Sequence, residues 1–127
     1  MRRIFNIAAI AVLALTAMSC QPSLIGEWHY VRTEYYEDGK LDEVDDSDED
    51  WVICFEEDGL GYQIEYEYKD SMYWVCEEDM LYIDNTPIEN LKRAGSMKIK
   101  QLDNDELHLE RQRKRNRSTV YIFQRVK

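Results

Sequence analysis

The segment Tyr62-Gln63-Ile64-Glu65-Tyr66-Glu67-Tyr68 alternates large apolar and polar residues without a break. A period of two marks a β-strand with one buried face, because successive side chains leave a pleated backbone on opposite sides. The same grain recurs in short pieces at 24–36, 51–55, 72–76, 81–83, 97–102, 107–111 and 119–126. Polar or glycine-bearing turns separate most of them, such as Glu56-Glu57-Asp58-Gly59-Leu60-Gly61, Glu77-Glu78-Asp79 and Asp103-Asn104-Asp105. Eight successive antiparallel strands are therefore predicted, and so small a sheet must protect its edges. Closure into an up-and-down barrel removes them. A sandwich usually needs crossing connections, whereas only 37–50 is a long connection here. One short helix is predicted near 87–94: Thr86-Pro87-Ile88-Glu89 has capping-box spacing with proline at the first helical position, and Gly95 can end it. No internal repeat or Pro/Ser-rich linker divides the chain.

The N-terminus follows a different pattern. Arg2 and Arg3 precede a run from Ile4 to Met18 that is almost wholly apolar, and Ser19-Cys20 follows. The run is about 15 residues, short of the roughly 20 needed to span a bilayer. A positive start, an apolar stretch and a small residue before the cut are the parts of a secretory signal. With cysteine at the cut, the segment resembles bacterial lipoprotein signal peptides. Ala17-Met18-Ser19-Cys20 is a loose version of their cleavage motif, with a bulky Met18 and no leucine at position 17. The resemblance implies a cleaved leader at 1–19, acylation (palmitate or a related chain) of Cys20, a lipidated tether at 20–23 and a domain at 24–127. The lipid bilayer is then one partner. Gln21 is not the aspartate associated with inner-membrane retention, and no acidic cluster follows the cysteine. The expected address is the cell envelope, as an outer-membrane lipoprotein facing the periplasm.

Removing residues 1–19 takes away Arg2 and Arg3 and no acid, so the formal charge moves from −10 to −12. That excess argues against nucleic acid, which requires a basic footprint. It also argues against adsorption to an anionic membrane through the protein surface. Seven acids lie in Asp42-Glu43-Val44-Asp45-Asp46-Ser47-Asp48-Glu49-Asp50, and five bases lie in Arg111-Gln112-Arg113-Lys114-Arg115-Asn116-Arg117 near the other end of the chain. In a closed meander both fall at the same end of the barrel and neighbour one another, as solvated, mutually neutralising loops or as a charged rim.

Leu24-Ile25-Gly26-Glu27-Trp28 followed by a strand resembles the opening of small bacterial lipocalin-like lipoproteins. Cys54-Phe55-Glu56-Glu57-Asp58-Gly59, Leu102-Asp103-Asn104-Asp105-Glu106-Leu107 and Tyr121-Ile122-Phe123-Gln124-Arg125-Val126 resemble later pieces of the same family, in the right order. The resemblance implies an eight-stranded lipocalin-like barrel whose closed end is built from Gly26, Trp28 and Arg125, the guanidinium packing across the indole. The chain is shorter than the larger lipocalins and lacks a central Thr-Asp-Tyr. The family implies a binding role for a small hydrophobic or amphipathic ligand at the open end. An inhibitor or interaction module, meeting a basic protein through the acidic surface, is the alternative.

Parity then assigns an inner wall. If the acids of 62–68 point outward, Tyr62, Ile64, Tyr66 and Tyr68 point inward, joined by Trp28, Tyr30, Trp51, Phe55, Trp74 and Phe123 among others. An eight-stranded barrel is either filled by side chains or holds one small ligand, and the many aromatics favour filling. A cavity, if one exists, is expected to be lined by Tyr30, Arg32, Tyr66, Tyr68 and Trp74. The same parity turns Cys76 inward and Cys54 outward on non-neighbouring strands, so two free thiols are expected.

Catalytic signatures are missing from the sequence. His29 and His108 both fall on the outer face, and no Gly-x-Ser-x-Gly or His-Glu-x-x-His occurs. Asp46-x-Asp48-x-Asp50 with Glu57 has the outline of a calcium loop but carries Trp51 where the sharp turn needs glycine. The expectation is a non-enzymatic monomer with no metal or cofactor.

Overall fold

The computed structural model describes residues 24–127. The expected leader, Cys20 and the tether through residue 23 lie outside them. Nine antiparallel strands form one sheet: β1 (Gly26–Glu37), β2 (Lys40–Asp45), β3 (Trp51–Phe55), β4 (Leu60–Glu65), β5 (Tyr68–Glu77), β6 (Met80–Asp84), β7 (Gly95–Leu102), β8 (Glu106–Lys114) and β9 (Arg117–Arg125). The sheet closes because β1 pairs with β9 along one edge, from Trp28↔Arg125 to Glu37↔Arg117. Its other edge is shared: Gly26–His29 pairs with β3, and Thr33–Glu37 pairs with β2. β2 and β3 thus act as two pieces of one stave. The result is an all-β, closed eight-staved up-and-down barrel.

Three elements differ from expectation, each for a local reason. The connection 37–50 is not one loop. Asp38 and Gly39 both take left-handed backbone (φ 52° and 77°), the conformation that lets a two-residue turn match the twist of a hairpin. β1 therefore turns directly into β2, and only residues 46–50 form the bridge to β3. The strand 62–68 breaks at Tyr66, which also has positive φ (56°) and donates its N–H to the Asp50 carbonyl at 2.8 Å. Glu65 then pairs with Tyr68 across a tight turn.

The helix expected near 87–94 is absent. The Asn90 side chain accepts a hydrogen bond from the Lys92 N–H, and its carbonyl accepts one from Arg93, which closes a turn instead. Two helical turns without a face to pack on are too short to hold. A 3-10 turn lies at Glu57–Gly59.

Register corrects the parity of β4. Ile53 pairs with Gln63 and Phe55 with Gly61, and both Ile53 and Phe55 are buried. Opposed residues of an antiparallel pair share a face, so Gly61, Gln63 and Glu65 look inward, while Tyr62 sits outside beside Cys54. A bulge at Val31 makes a second shift. Trp28 and Tyr30 face in, but beyond the bulge Thr33 and Tyr35 take the inner side and Arg32, Glu34 and Tyr36 the outer.

The core fills the half of the barrel nearest the N-terminus of β1. Trp28, Ile53, Phe55, Leu81, Leu107, Leu109 and Phe123 are almost completely buried there, with Met72, Trp74 and Met97 close behind. Gly61 is required by this packing. A Cβ at that position would overlap the Cys54 carbonyl oxygen and crowd Met72 Cε at 2.9 Å. Gly61→Ala is expected to destabilise by about 2–3 kcal/mol, as overpacking does. At Gly39 a Cβ meets nothing, so Gly39→Ala is expected to cost only about 1–2 kcal/mol of left-handed strain. Urea denaturation of the two variants measures the difference.

Candidate functional site

The two ends of the barrel are chemically unlike. At the closed end Arg125 lies with its guanidinium carbon 4.1 Å from the Trp28 ring centroid. It donates to the carbonyls of Ile25 at 2.9 Å and Asn104 at 2.9 Å, binding the start of β1 to the β7–β8 turn. The Trp28 indole N–H reaches back to the Leu24 carbonyl at 2.9 Å. Gly26 has φ 136°, and a Cβ there would stand 2.7 Å from Arg125 Nη1. Glycine is thus demanded both by the backbone and by the close approach of the cation. This cluster holds the closed end together.

The open end carries a cavity of about 630 Å³, within the range of small-molecule sites. Its apolar lining includes Trp51, Ile53, Met72, Ile83, Met97 and Tyr121. Trp51 is set from behind by Phe123 (4.9 Å between ring centroids), Tyr121 (5.5 Å) and Tyr30 (5.7 Å). Its indole N–H donates to Gln63 Oε1 at 3.1 Å. Above these groups stand Glu49, Asp50, Glu65, Asp70 and Asp84, with Arg111 the one cation of the lining among the described residues. Arg111 leans toward the Tyr121 ring, 5.9 Å from its centroid, and Arg113 donates to the Tyr121 hydroxyl at 2.6 Å. Filling and cavity therefore coexist, one in each half of the barrel.

The residues expected to line a cavity are scattered. Tyr66 does line its mouth. Tyr30 sits one layer behind, its hydroxyl hydrogen-bonded to Thr33. Burial pushes the Tyr30 phenol up; the Thr33 bond opposes this and the charges of Glu49 and Asp45 add to it. Arg32 lies on the outer face, paired with Glu34 at 3.0 Å, because of the bulge before it. Tyr68 starts β5 and is 77% exposed. Trp74 faces inward but at the closed end, where its N–H donates to the carbonyls of Glu56 and Leu60. Gln63 and Glu65 were missed because the polar side of 62–68 was assumed to point outward, and Asp70 because 69–71 was read as a loop rather than part of β5. The pairing of Gly61 with Phe55 carries the opposite signal: a glycine opposite a large aromatic marks the crowded inner face.

The charged hairpin tips meet as neighbours. The Asp38 N–H donates to the Asn116 carbonyl at 2.8 Å, and Arg117 pairs with Glu37 at 3.5 Å. Cys54 and Cys76 are not bonded to each other, and Cys54 is a free, half-buried thiol. The expectation of a second free thiol fails at Cys76, whose sulfur is engaged elsewhere.

No protein-family model matches this chain, and no curated protein matches it. A solved structure does: a lipocalin-like protein from Bacteroides uniformis ATCC 8492, with a TM-score of 0.57 over 82% of this chain and 99% of the other. The domain is a lipocalin-like barrel. At 18% identity the likeness is one of fold, so the chemistry of this barrel must be read from its own residues. Its filled closed end and open acidic end are the features on which any binding role depends.

Arg125→Ala is expected to destabilise by about 2 kcal/mol, through lost cation–π contact and unpartnered carbonyls, with Arg125→Lys milder, as read by urea denaturation. On the outer wall, burial pushes the Cys54 thiol up, partly offset by a hydrogen bond with Tyr62. The Tyr62 phenol is pushed up to about 12 by that bond, then by burial and the nearby charge of Glu27. Cys54 is expected to alkylate several-fold more slowly than an exposed cysteine at about pH 8, and Tyr62 to ionise last among the accessible tyrosines in a phenolate absorbance titration.

Proposed function

We propose that this protein is a membrane-anchored lipoprotein that binds a small amphipathic ligand at the open end of its barrel. The observation that carries the reading is the cavity of about 630 Å³, floored by Trp51 and Tyr121 and closed beneath by a dry core. A concave site with an apolar floor and a few polar groups is what small-molecule recognition requires. The likeness to a lipocalin-like protein supports ligand binding in general terms. A binding rather than catalytic role is supported by the placement of His29 and His108 on the outer face, away from the cavity lining.

The anchoring half of the proposal rests on the N-terminal sequence through Cys20. Leu24 is fully buried and is gripped by Trp28 at the closed end. Three or four residues of tether reach at most about 14 Å. Acylation of Cys20 would therefore set the closed end against the lipid and turn the cavity away from it. An outer-membrane position facing the periplasm is the address proposed. Among the described residues no helix is long and apolar enough to cross a membrane.

A second reading, an inhibitor or interaction module for a basic partner, is favoured by one observation. Among the described residues β2 pairs only with β1, and its free edge carries Asp42, Glu43 and Asp45. Native mass spectrometry of the chain purified from its own envelope separates the two. A bound molecule of a few hundred daltons, lost on Trp51→Ala, is expected for the cavity reading, and a co-purifying basic protein for the other. Cys20→Ser is expected to move the protein from the membrane to the soluble fraction. Retention in the membrane would overturn the anchor.

A further inference from the structure

Resting on the ligand-binding reading, we propose that the cavity selects amphipathic molecules that carry positive charge, such as aryl or alkyl amines, over neutral and anionic ones of the same shape.

The argument begins with where the charges come from. Glu49 and Asp50 lie at the end of the β2–β3 bridge, Glu65 ends β4, Asp70 lies in β5 and Asp84 ends β6. Barrel closure brings these distant positions to one cavity. Among the described residues none of the five has a Lys, Arg or His within ion-pair distance, whereas Glu34, Glu37, Asp79, Asp105, Glu106 and Glu110 all do. None of the carboxylates with a basic partner lines the cavity, so the five that do are not neutralised by ion pairing among the described residues. The single guanidinium of the lining, Arg111, is directed to the Tyr121 ring.

Carboxylates of one sign around a concave site give it a negative potential. Among the described residues an anionic head group would meet that field with Arg111 in the lining and Arg113 held at the Tyr121 hydroxyl as the nearby cations. A positive group would be attracted by it and could also rest on the π-faces of Trp51 or Tyr121. The acids are spread around the mouth rather than gathered: among the described residues no three His, Cys, Asp or Glu groups lie close enough to hold one metal ion. That spacing fits an extended organic cation better than a point charge. The apolar floor of Ile53, Met72, Ile83 and Met97 supplies the surface for its body.

Isothermal titration calorimetry with three probes of one shape, naphthylmethylammonium, naphthylmethanol and naphthylacetate, tests the proposal. At about 150 mM salt, where distant surface charge is screened, the ammonium is expected to bind about tenfold or more tightly than the alcohol, and the acetate weakest. The double variant Glu65→Gln/Asp70→Asn, checked for folding by circular dichroism, is expected to lose most of that preference while keeping affinity for the alcohol. Asp42→Asn/Glu43→Gln, outside the cavity, is expected to keep it. Equal binding of the three probes, or a preference for acetate, would overturn charge selection and leave the ligand-binding reading standing. Loss of the preference in both double variants alike would assign it to the diffuse field of an acidic protein and overturn the cavity's role. Binding by none of the three would count against both readings.

Discussion

Closure of β1 onto β9 is the constraint on which the rest of this molecule depends. Without it the strands from β3 to β9 would form an open sheet with long unpaired edges. β1 accomplishes the closure by pairing with three strands, and its two ends are held differently. At the closed end Arg125 covers Trp28 and ties the entry of β1 to the β7–β8 turn. At the open end Asp38 and Asn116 join the tips of two hairpins. The closed end is dry and the open end is wet, so the same seam seals one half of the barrel and leaves the other accessible.

That gradient along the barrel axis explains why an inner wall can be acidic. In the closed half an inward side chain loses water and must be apolar or fully partnered. In the open half an inward side chain still meets solvent across the cavity, so Glu65 and Asp70 can point inward without being stripped of water. The bulge at Val31 serves the same division. It lets Trp28 and Tyr30 build the core, then returns Arg32 and Glu34 to the outer face, where they pair.

Much of the fold was legible because the β period and turn residues are local signals. The strands around Trp28, Phe55, Trp74 and Phe123 were readable from alternation. The closed-end residues Gly26, Trp28 and Arg125 could be named from a family resemblance, and the structure places them in mutual contact. The β1–β2 hairpin was also written locally, in Asp38-Gly39, but the acids that follow concealed it as a loop. The helix at 87–94 had a helix's starting signal and no packing partner, and a signal of capping alone does not hold two turns. Most of the candidate site was not legible. Tyr66 was found, but Glu65 and Asp70 could be placed inside only once Gly61 was seen opposite Phe55, a pairing between strands that no single segment reveals.

The sequence by itself determined the architecture: an all-β chain of short strands with an aromatic first strand and an acidic surplus, because side-chain alternation and turn chemistry act over a few residues. Only the tertiary structure decided which side of each strand faces the interior, and therefore what the cavity is made of. A shift of one residue at a turn or bulge exchanges the two faces of a strand. Here the register of β4 against β3 puts Gln63 and Glu65 on the inner side and the bulge at Val31 puts Arg32 outside, so a barrel expected to be lined by tyrosines is lined at its mouth by carboxylates.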